Sequence, residues 1–305
     1  MSLKSLPKEQ FNALLALSIP DFRQALGVMV AKTMMAQPEP IDIPAKIEDS
    51  SFKGPASDIP IRIYTPEGTG PFPAVVFYHG GGWVLGNIQS HDSICRQMCV
   101  QTGAVVISVE YRLAPEAKFP AGPNDCYAAF HHVQSNPDKY GIDAERVAVA
   151  GDSAGGNLAT VVSIMCRDRQ APRPKFQCLI YPACDFTANG PHKQSDPSDL
   201  LVMDFMNYMK DGYINGPEDE INPLASPLKA DLHDLPPAFV MTCSMDPLLE
   251  EGVEYVQKLK ASGVPCEHIN AIGMDHGCFS QDRRTDPDIQ QYQDAAFAAI
   301  KKALI

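Results

Sequence analysis

Gly151-Asp152-Ser153-Ala154-Gly155-Gly156 stands between an apolar run at Arg146–Ala150 and a run with helical spacing at Ser153–Arg167. A G-x-S-x-G at a strand-to-helix junction holds its serine out on a sharp turn. Glycines two before and two after leave room for the strained backbone. A serine hydroxyl attacks poorly unless it is held exposed beside a base. The start of the helix also directs N–H groups towards developing negative charge. A plain βα turn or a phosphate cradle would share the glycines, but the flanking strand and helix favour a nucleophile.

The segments on either side extend the same pattern. Ile59–Tyr64 alternates like a strand, and Pro73–Tyr78 and Ala104–Val109 are short apolar runs. Beyond the hexapeptide, strands are expected at Phe176–Tyr181, Ala238–Thr242 and Cys266–Ala271. Helices are expected over Asn124–Gln134, Leu248–Ser262 and Asp288–Leu304. Continuous apolar strands separated by helices predict an α/β fold, a mostly parallel central sheet covered by helices on both faces.

Two stretches depart from this rhythm. Residues 1–45 read as helix, broken at Pro20-Asp21. Between Pro182 and Pro236 no good strand occurs, but Leu200–Tyr213 has a helical face rich in methionine and aromatic residues. The expected organisation is therefore a helical cap segment at 1–45, a catalytic core at 46–185 and 222–305, and an inserted cap segment at 186–221. An ordinary crossover helix with long loops is the alternative for the insertion.

Three further segments carry chemistry. His79-Gly80-Gly81-Gly82 follows the Pro73–Tyr78 strand. Attack on an ester carbonyl places negative charge on oxygen, and preorganised N–H donors stabilise it. Gly81, Gly82 and Ala154 are the expected donors, with His79 organising the loop. Asp246 and His276 each stand just past a predicted strand, in the chain order serine, acid, histidine that an α/β-hydrolase requires. Ser153 would attack, His276 would take and return its proton, and Asp246 would orient the imidazole. Asp275 is a rival acid, though adjacent loop residues rarely buttress one another. His91-Asp92 is expected to open a helix with Ser90 as its cap. His131-His132 lies on a helix, and neither pair has metal-ligand spacing.

Composition sets limits without naming chemistry. The 305 residues carry a net charge of −12, which disfavours nucleic acid or an anionic membrane as partner. Nine cysteines form no C-x-x-C, so neither a disulfide framework nor a zinc site is suggested. There is no glycosylation sequon, no signal-peptide pattern at Met1–Pro7 and no apolar run of about 18 residues. A cytoplasmic protein without metal or cofactor is the expectation.

Together these segments resemble the bacterial hormone-sensitive-lipase-like esterases. The resemblance rests on His79–Gly82, Gly151–Gly156, Tyr111-Arg112-Leu113-Ala114-Pro115-Glu116, Phe119-Pro120-Ala121, Asp246-Pro247-Leu248 and the His276 segment. It covers roughly Phe72 to the C-terminus. It implies an α/β-hydrolase with a cap built from the N-terminus and an insertion, no cofactor, small ester substrates with short acyl chains, and common dimers. It also implies a structural role for Tyr111–Glu116.

Two departures from the family pattern stand out. Leu249-Glu250 replaces an Arg-Asp pair, and Cys278 precedes Phe279 where an aromatic directly after His276-Gly277 is usual. The second would widen the acyl pocket or move its lining, so Cys278 and Phe279 join Trp83, Met203, Phe205, Met206 and Met209 as candidate substrate contacts. Trp83 reads equally as a core anchor. An amidase, peptidase or thioesterase could use the same residues, and a binding protein that has lost catalysis could share the fold.

Overall fold

The computed structural model describes residues 8–34, 42–188, 197–281, 283, 284 and 286–305. Residues 1–7, 35–41 and 189–196 of the two expected cap segments lie outside the described residues.

Eight strands form one sheet in the order β1-β2-β4-β3-β5-β6-β7-β8. They are β1 (Lys46–Lys53), β2 (Asp58–Thr65), β3 (Phe72–Tyr78), β4 (Val105–Val109), β5 (Ile142–Asp152), β6 (Gln177–Ile180), β7 (Ala238–Cys243) and β8 (Cys266–Ala271). β2 runs antiparallel to both neighbours, and every pairing from β4 to β8 is parallel. The expected parallel sheet is therefore present, with one reversed strand near its edge.

The inner strands are apolar throughout because both of their faces are covered. Ala74, Val76 and Tyr78 of β3 point into one core, while Val75 and Phe77 point into the other, as a period of two requires. The first core also takes α4 (Ala121–Ser135), α6 (Ala154–Asp168) and α9 (Leu249–Ala261), while α5 (Pro137–Tyr140) and α8 (Pro217–Glu220) are single turns. The second takes α3 (Asp92–Thr102) and α10 (Pro287–Leu304).

β1 was not expected from the sequence. Its residues, Lys-Ile-Glu-Asp-Ser-Ser-Phe-Lys, bury only Phe52 fully. As an edge strand it has one pairing partner, and its charges face solvent, which blunts the edge against further pairing. Ser90 also departs from expectation. It sits inside a short 3₁₀ turn, Gln89–His91, and its hydroxyl donates to the Asn87 carbonyl at 2.8 Å. His91 occupies the position before α3, and no side chain caps it.

The helices α1 (Lys8–Leu15) and α2 (Ile19–Met34) pack on α7 (Pro197–Tyr213). Phe11 and Phe22 meet Phe205 at ring distances of 6.1 and 5.7 Å, and the Tyr208 hydroxyl donates to the Leu17 carbonyl at 2.9 Å. The last turn of α7 is tied down by Lys118, whose ammonium donates to the carbonyls of Asp211 and Ile214. A cation at a helix C-terminus also complements the helix dipole. Among the described residues, no helix is long and apolar enough to cross a membrane.

Candidate active site

Ser153 joins the end of β5 to the start of α6, with φ 54° and ψ −117°. A non-glycine residue here is strained, so the surroundings must hold it in place. Its N–H donates to the Ile180 carbonyl at 2.8 Å, and its own carbonyl accepts from Asn157 at 3.0 Å. The Asn157 amide in turn donates to the carbonyls of Ala183 and Ala225. The glycines of the motif are needed for space. A Cβ on Gly155 would overlap the Tyr78 carbonyl, and one on Gly151 would lie 2.6 Å from that same oxygen.

The sequence candidates Ser153, Asp246 and His276 converge. His276 Nε2 lies 2.8 Å from Ser153 Oγ, and His276 Nδ1 lies 2.6 Å from Asp246 Oδ2. A carboxylate only accepts, so Nδ1 carries the proton and Nε2 is left to accept from the serine hydroxyl. Asp246 is buried, and its other oxygen accepts the Leu248 N–H at 2.8 Å. That bond turns the carboxylate towards the histidine. Tyr181 packs its ring 4.7 Å from the imidazole.

The glycine loop is held from beneath. Asp152 Oδ1 accepts the Gly80 N–H at 2.9 Å, and the Tyr111 hydroxyl donates to the His79 carbonyl at 2.7 Å. The His79 ring stacks on Tyr111 at 4.3 Å and places Nδ1 2.8 Å from the Gly80 carbonyl. Burial, reinforced by nearby His91, pushes the His79 imidazole down to about 3, so it stays neutral and donates there. The N–H groups of Gly81, Gly82 and Ala154 meet no backbone or side-chain acceptor among the described residues. Gly81 adopts φ +122°, a conformation that favours glycine.

Asp152 and His91 form a pair that the sequence reading missed. Their closest approach is 3.3 Å, and both are buried. Burial opposes the charge on Asp152, but His91 and the Gly80 N–H outweigh it and lower its pKa. For His91, burial opposes protonation, but the Asp152 carboxylate outweighs it and raises the pKa. Both shifts favour an ion pair. The available signal was the Asp between Gly151 and Ser153, but His91 lies 61 positions away and nothing local in the sequence connects the two.

A cavity of about 160 Å³ opens on Ser153 and His276. Met203, Phe205, Met206 and Met209 of α7 line it, together with Gly82 and Trp83. A Cβ on Gly82 would strike the Met209 sulfur, so Met209 lies directly over the glycine loop. Buried Glu251 also lines the cavity, and its carboxylate accepts the N–H groups of Cys184 and Asp185 at 2.7 and 3.2 Å. Its role was not anticipated, because nothing local in Leu249-Glu250-Glu251 says which acid turns inward.

Cys278 and Phe279 are corrected. Neither lines the cavity. Gly277, at φ +86°, turns the chain away from the site, and both residues are buried in the second core. Phe279 packs edge-on against Phe297 at 5.9 Å, and the Cys278 sulfur lies 3.6 Å from that of Cys243. Among the described residues, no group of three or more His, Cys, Asp or Glu could hold a metal ion.

Comparison with known proteins agrees with this geometry. A family profile described as the alpha/beta hydrolase fold matches residues 75–280. Carboxylic ester hydrolase LipN of Mycobacterium tuberculosis is 39% identical over 254 residues, which cover 79% of this chain and 66% of that longer protein. Carboxylesterase NlhH of the same species is 36% identical over 294 residues, covering 93% of this chain and 92% of that one. Among solved structures, an esterase of Pyrobaculum calidifontis superposes with a TM-score of 0.87 at 36% identity, covering 98% of this chain and 100% of that one. With its motifs, sheet and site in this common arrangement, the chain belongs to the α/β-hydrolase family, in its hormone-sensitive-lipase-like branch.

Proposed function

We propose that this chain hydrolyses short-chain carboxylic esters through an acyl-enzyme on Ser153. The observation that carries the reading is the unbroken hydrogen-bonded line from Ser153 through His276 to buried Asp246, opening on an apolar cavity. The names of the relatives LipN and NlhH point to the same class of reaction.

In this mechanism His276 Nε2 takes the Ser153 proton as Oγ bonds to the ester carbonyl carbon. The Asp246 carboxylate stabilises the imidazolium so formed. Negative charge on the former carbonyl oxygen is met by the N–H groups of Gly81, Gly82 and Ala154. Collapse expels the alcohol, which leaves with the proton from His276. Water then repeats the cycle on the acyl-enzyme. The α7 side chains over the site support short rather than long acyl groups.

The nine cysteines are all free thiols, which supports a reducing, cytoplasmic setting. The deciding experiment is turnover of p-nitrophenyl butyrate by Ser153→Ala. Loss of turnover with an unchanged circular dichroism spectrum is expected, and retained turnover would overturn the mechanism.

A further inference from the structure

A second cavity, of about 490 Å³, lies between the end of β1 and α4 and shares no lining residue with the one at Ser153. Asn124, Tyr127, His131 and Ser135 line it from α4 at spacings of three and four, which places them on one helix face. Among the described residues no Asp or Glu lines it, although acids outnumber bases 37 to 25 in the chain.

Arg169, just past the end of α6, also lines this cavity and is exposed. Its guanidinium lies 4.2 Å from the centre of the Tyr127 ring, and Tyr127 stacks with His131 at 6.2 Å. Seven other arginines pair with a carboxylate. The Arg169 guanidinium makes no hydrogen bond or ion pair among the described residues, and neither do the side chains of Asn124, His131 and Ser135. A cation here complements the dipole of α6, but the dipole does not require a ring beneath it. Stacking fixes the plane of a guanidinium and leaves its edge N–H groups for an anion. The other polar side chains are engaged. Lys53 pairs with Asp58 at 3.0 Å, and the Asn136 amide donates to the His132 carbonyl at 2.7 Å. His132 stacks on Phe52 at 4.4 Å, and burial, then Lys139 and His131, lower its pKa, so it forms a neutral wall.

We infer that this cavity binds an organic phosphate, with the phosphate held by Arg169 and His131 and the organic part against Pro55, Tyr127 and Ala128. Asn124 and Ser135, one helical turn to either side, meet polar groups on the remainder of the ligand. A single exposed cation holds an anion weakly, but a preorganised guanidinium beside further donors in a concave site makes charge-assisted bonds that act together. The site is separate from Ser153 and does not depend on the ester-hydrolase reading.

The test is an NMR titration of the full ¹⁵N-labelled chain with phenyl phosphate, and with benzyl alcohol as an uncharged ligand of similar size. Phenyl phosphate should produce saturable shifts at the amides of 124–136 and 169 and at the His131 ring. Its affinity should fall about tenfold in Arg169→Gln, the loss expected for one charge-assisted bond. Benzyl alcohol should leave the same signals in place. Shifts that rise linearly without saturating, that lie elsewhere, or that benzyl alcohol reproduces overturn the inference. So does an affinity for phenyl phosphate that Arg169→Gln leaves unchanged.

A second variant decides the matter if Arg169→Gln does not fold. His131 is exposed on α4, and His131→Ala removes a phosphate contact while leaving Arg169 on Tyr127. Weaker binding of phenyl phosphate by this variant supports the site, and unchanged binding overturns it.

Discussion

The carboxylate of Asp152 accepts the N–H of Gly80 at 2.9 Å, across 72 positions of sequence. The residue beside the proposed nucleophile thereby fixes the first glycine of the loop proposed to face the substrate carbonyl. Asp152→Ala removes this anchor and leaves Gly80 unpaired. Because small misplacements of catalytic groups are expensive, kcat should fall roughly 10- to 100-fold. Steady-state kinetics on p-nitrophenyl butyrate will check this, with KM changing much less than kcat.

The same aspartate gives a pH signature through His91. Asp152 titrates below its ordinary 3.8, so its contribution to stability is present above 3.8 and lost as pH falls through the folded value. His91 titrates above its ordinary 6.5, so its contribution is present below 6.5 and lost as pH rises through the folded value. The coupling between them is therefore largest from about pH 4 to 6.5 and declines on both sides. A double-mutant cycle with Asp152→Asn and His91→Asn, followed by urea unfolding, should give about 1–3 kcal/mol in that window. A coupling that is flat from pH 4 to 9 would refute the charged pair.

Asp246→Asn leaves a group of the same size but can present its N–H₂ to His276. The imidazole would then carry its proton on Nε2, facing Ser153, where it cannot act as base. A fall in kcat on the order of 10⁴-fold is expected near neutral pH. Rapid-quench or stopped-flow assays should show both acylation and deacylation slowed, because His276 is the base in each.

Arg23 clasps α2 to the body of the fold. Its guanidinium makes a two-pronged bond to Glu116 at 2.7 and 2.8 Å and also donates to the carbonyls of Val84 and Ala114. The Glu116 carboxylate, hydrogen-bonded to Arg23, is held below its usual range. That ion pair is largely exposed and adds little by itself. The backbone carbonyls carry more weight, so Arg23→Ala should cost about 1–2 kcal/mol and speed proteolysis near α2. Arg23→Lys should recover only part, since an ammonium lacks the planar fork.

Met209→Ala removes the side chain that lies over Gly82. The cavity should lengthen, and the preferred p-nitrophenyl ester should shift to a longer acyl chain. A chain-length series on the variant and the unmodified enzyme measures this directly.

Much of this arrangement could be read from residues 72–281 because its signals are local. Strand ends, glycine loops and the order Ser153, Asp246, His276 each show within a few residues. What escaped depends on distant partners. β1 hides because an exposed edge strand needs few apolar side chains. His91 shows its importance only once β5 brings Asp152 beside it. Cys278 looks like a pocket residue by adjacency to His276, yet one glycine between them reverses the chain. The direction of Glu251 follows from the fold of 184–185, which no local pattern encodes.

The hydrogen-bonded line of the site joins positions 123 and 30 residues apart. No fragment of the chain holds the whole line, because Ser153, Asp246 and His276 follow different strands of a parallel sheet. Such non-local pairings form late and slowly. In refolding experiments, recovered helix content should therefore precede recovered activity, and turnover becomes a stringent report that the whole sheet has closed in register.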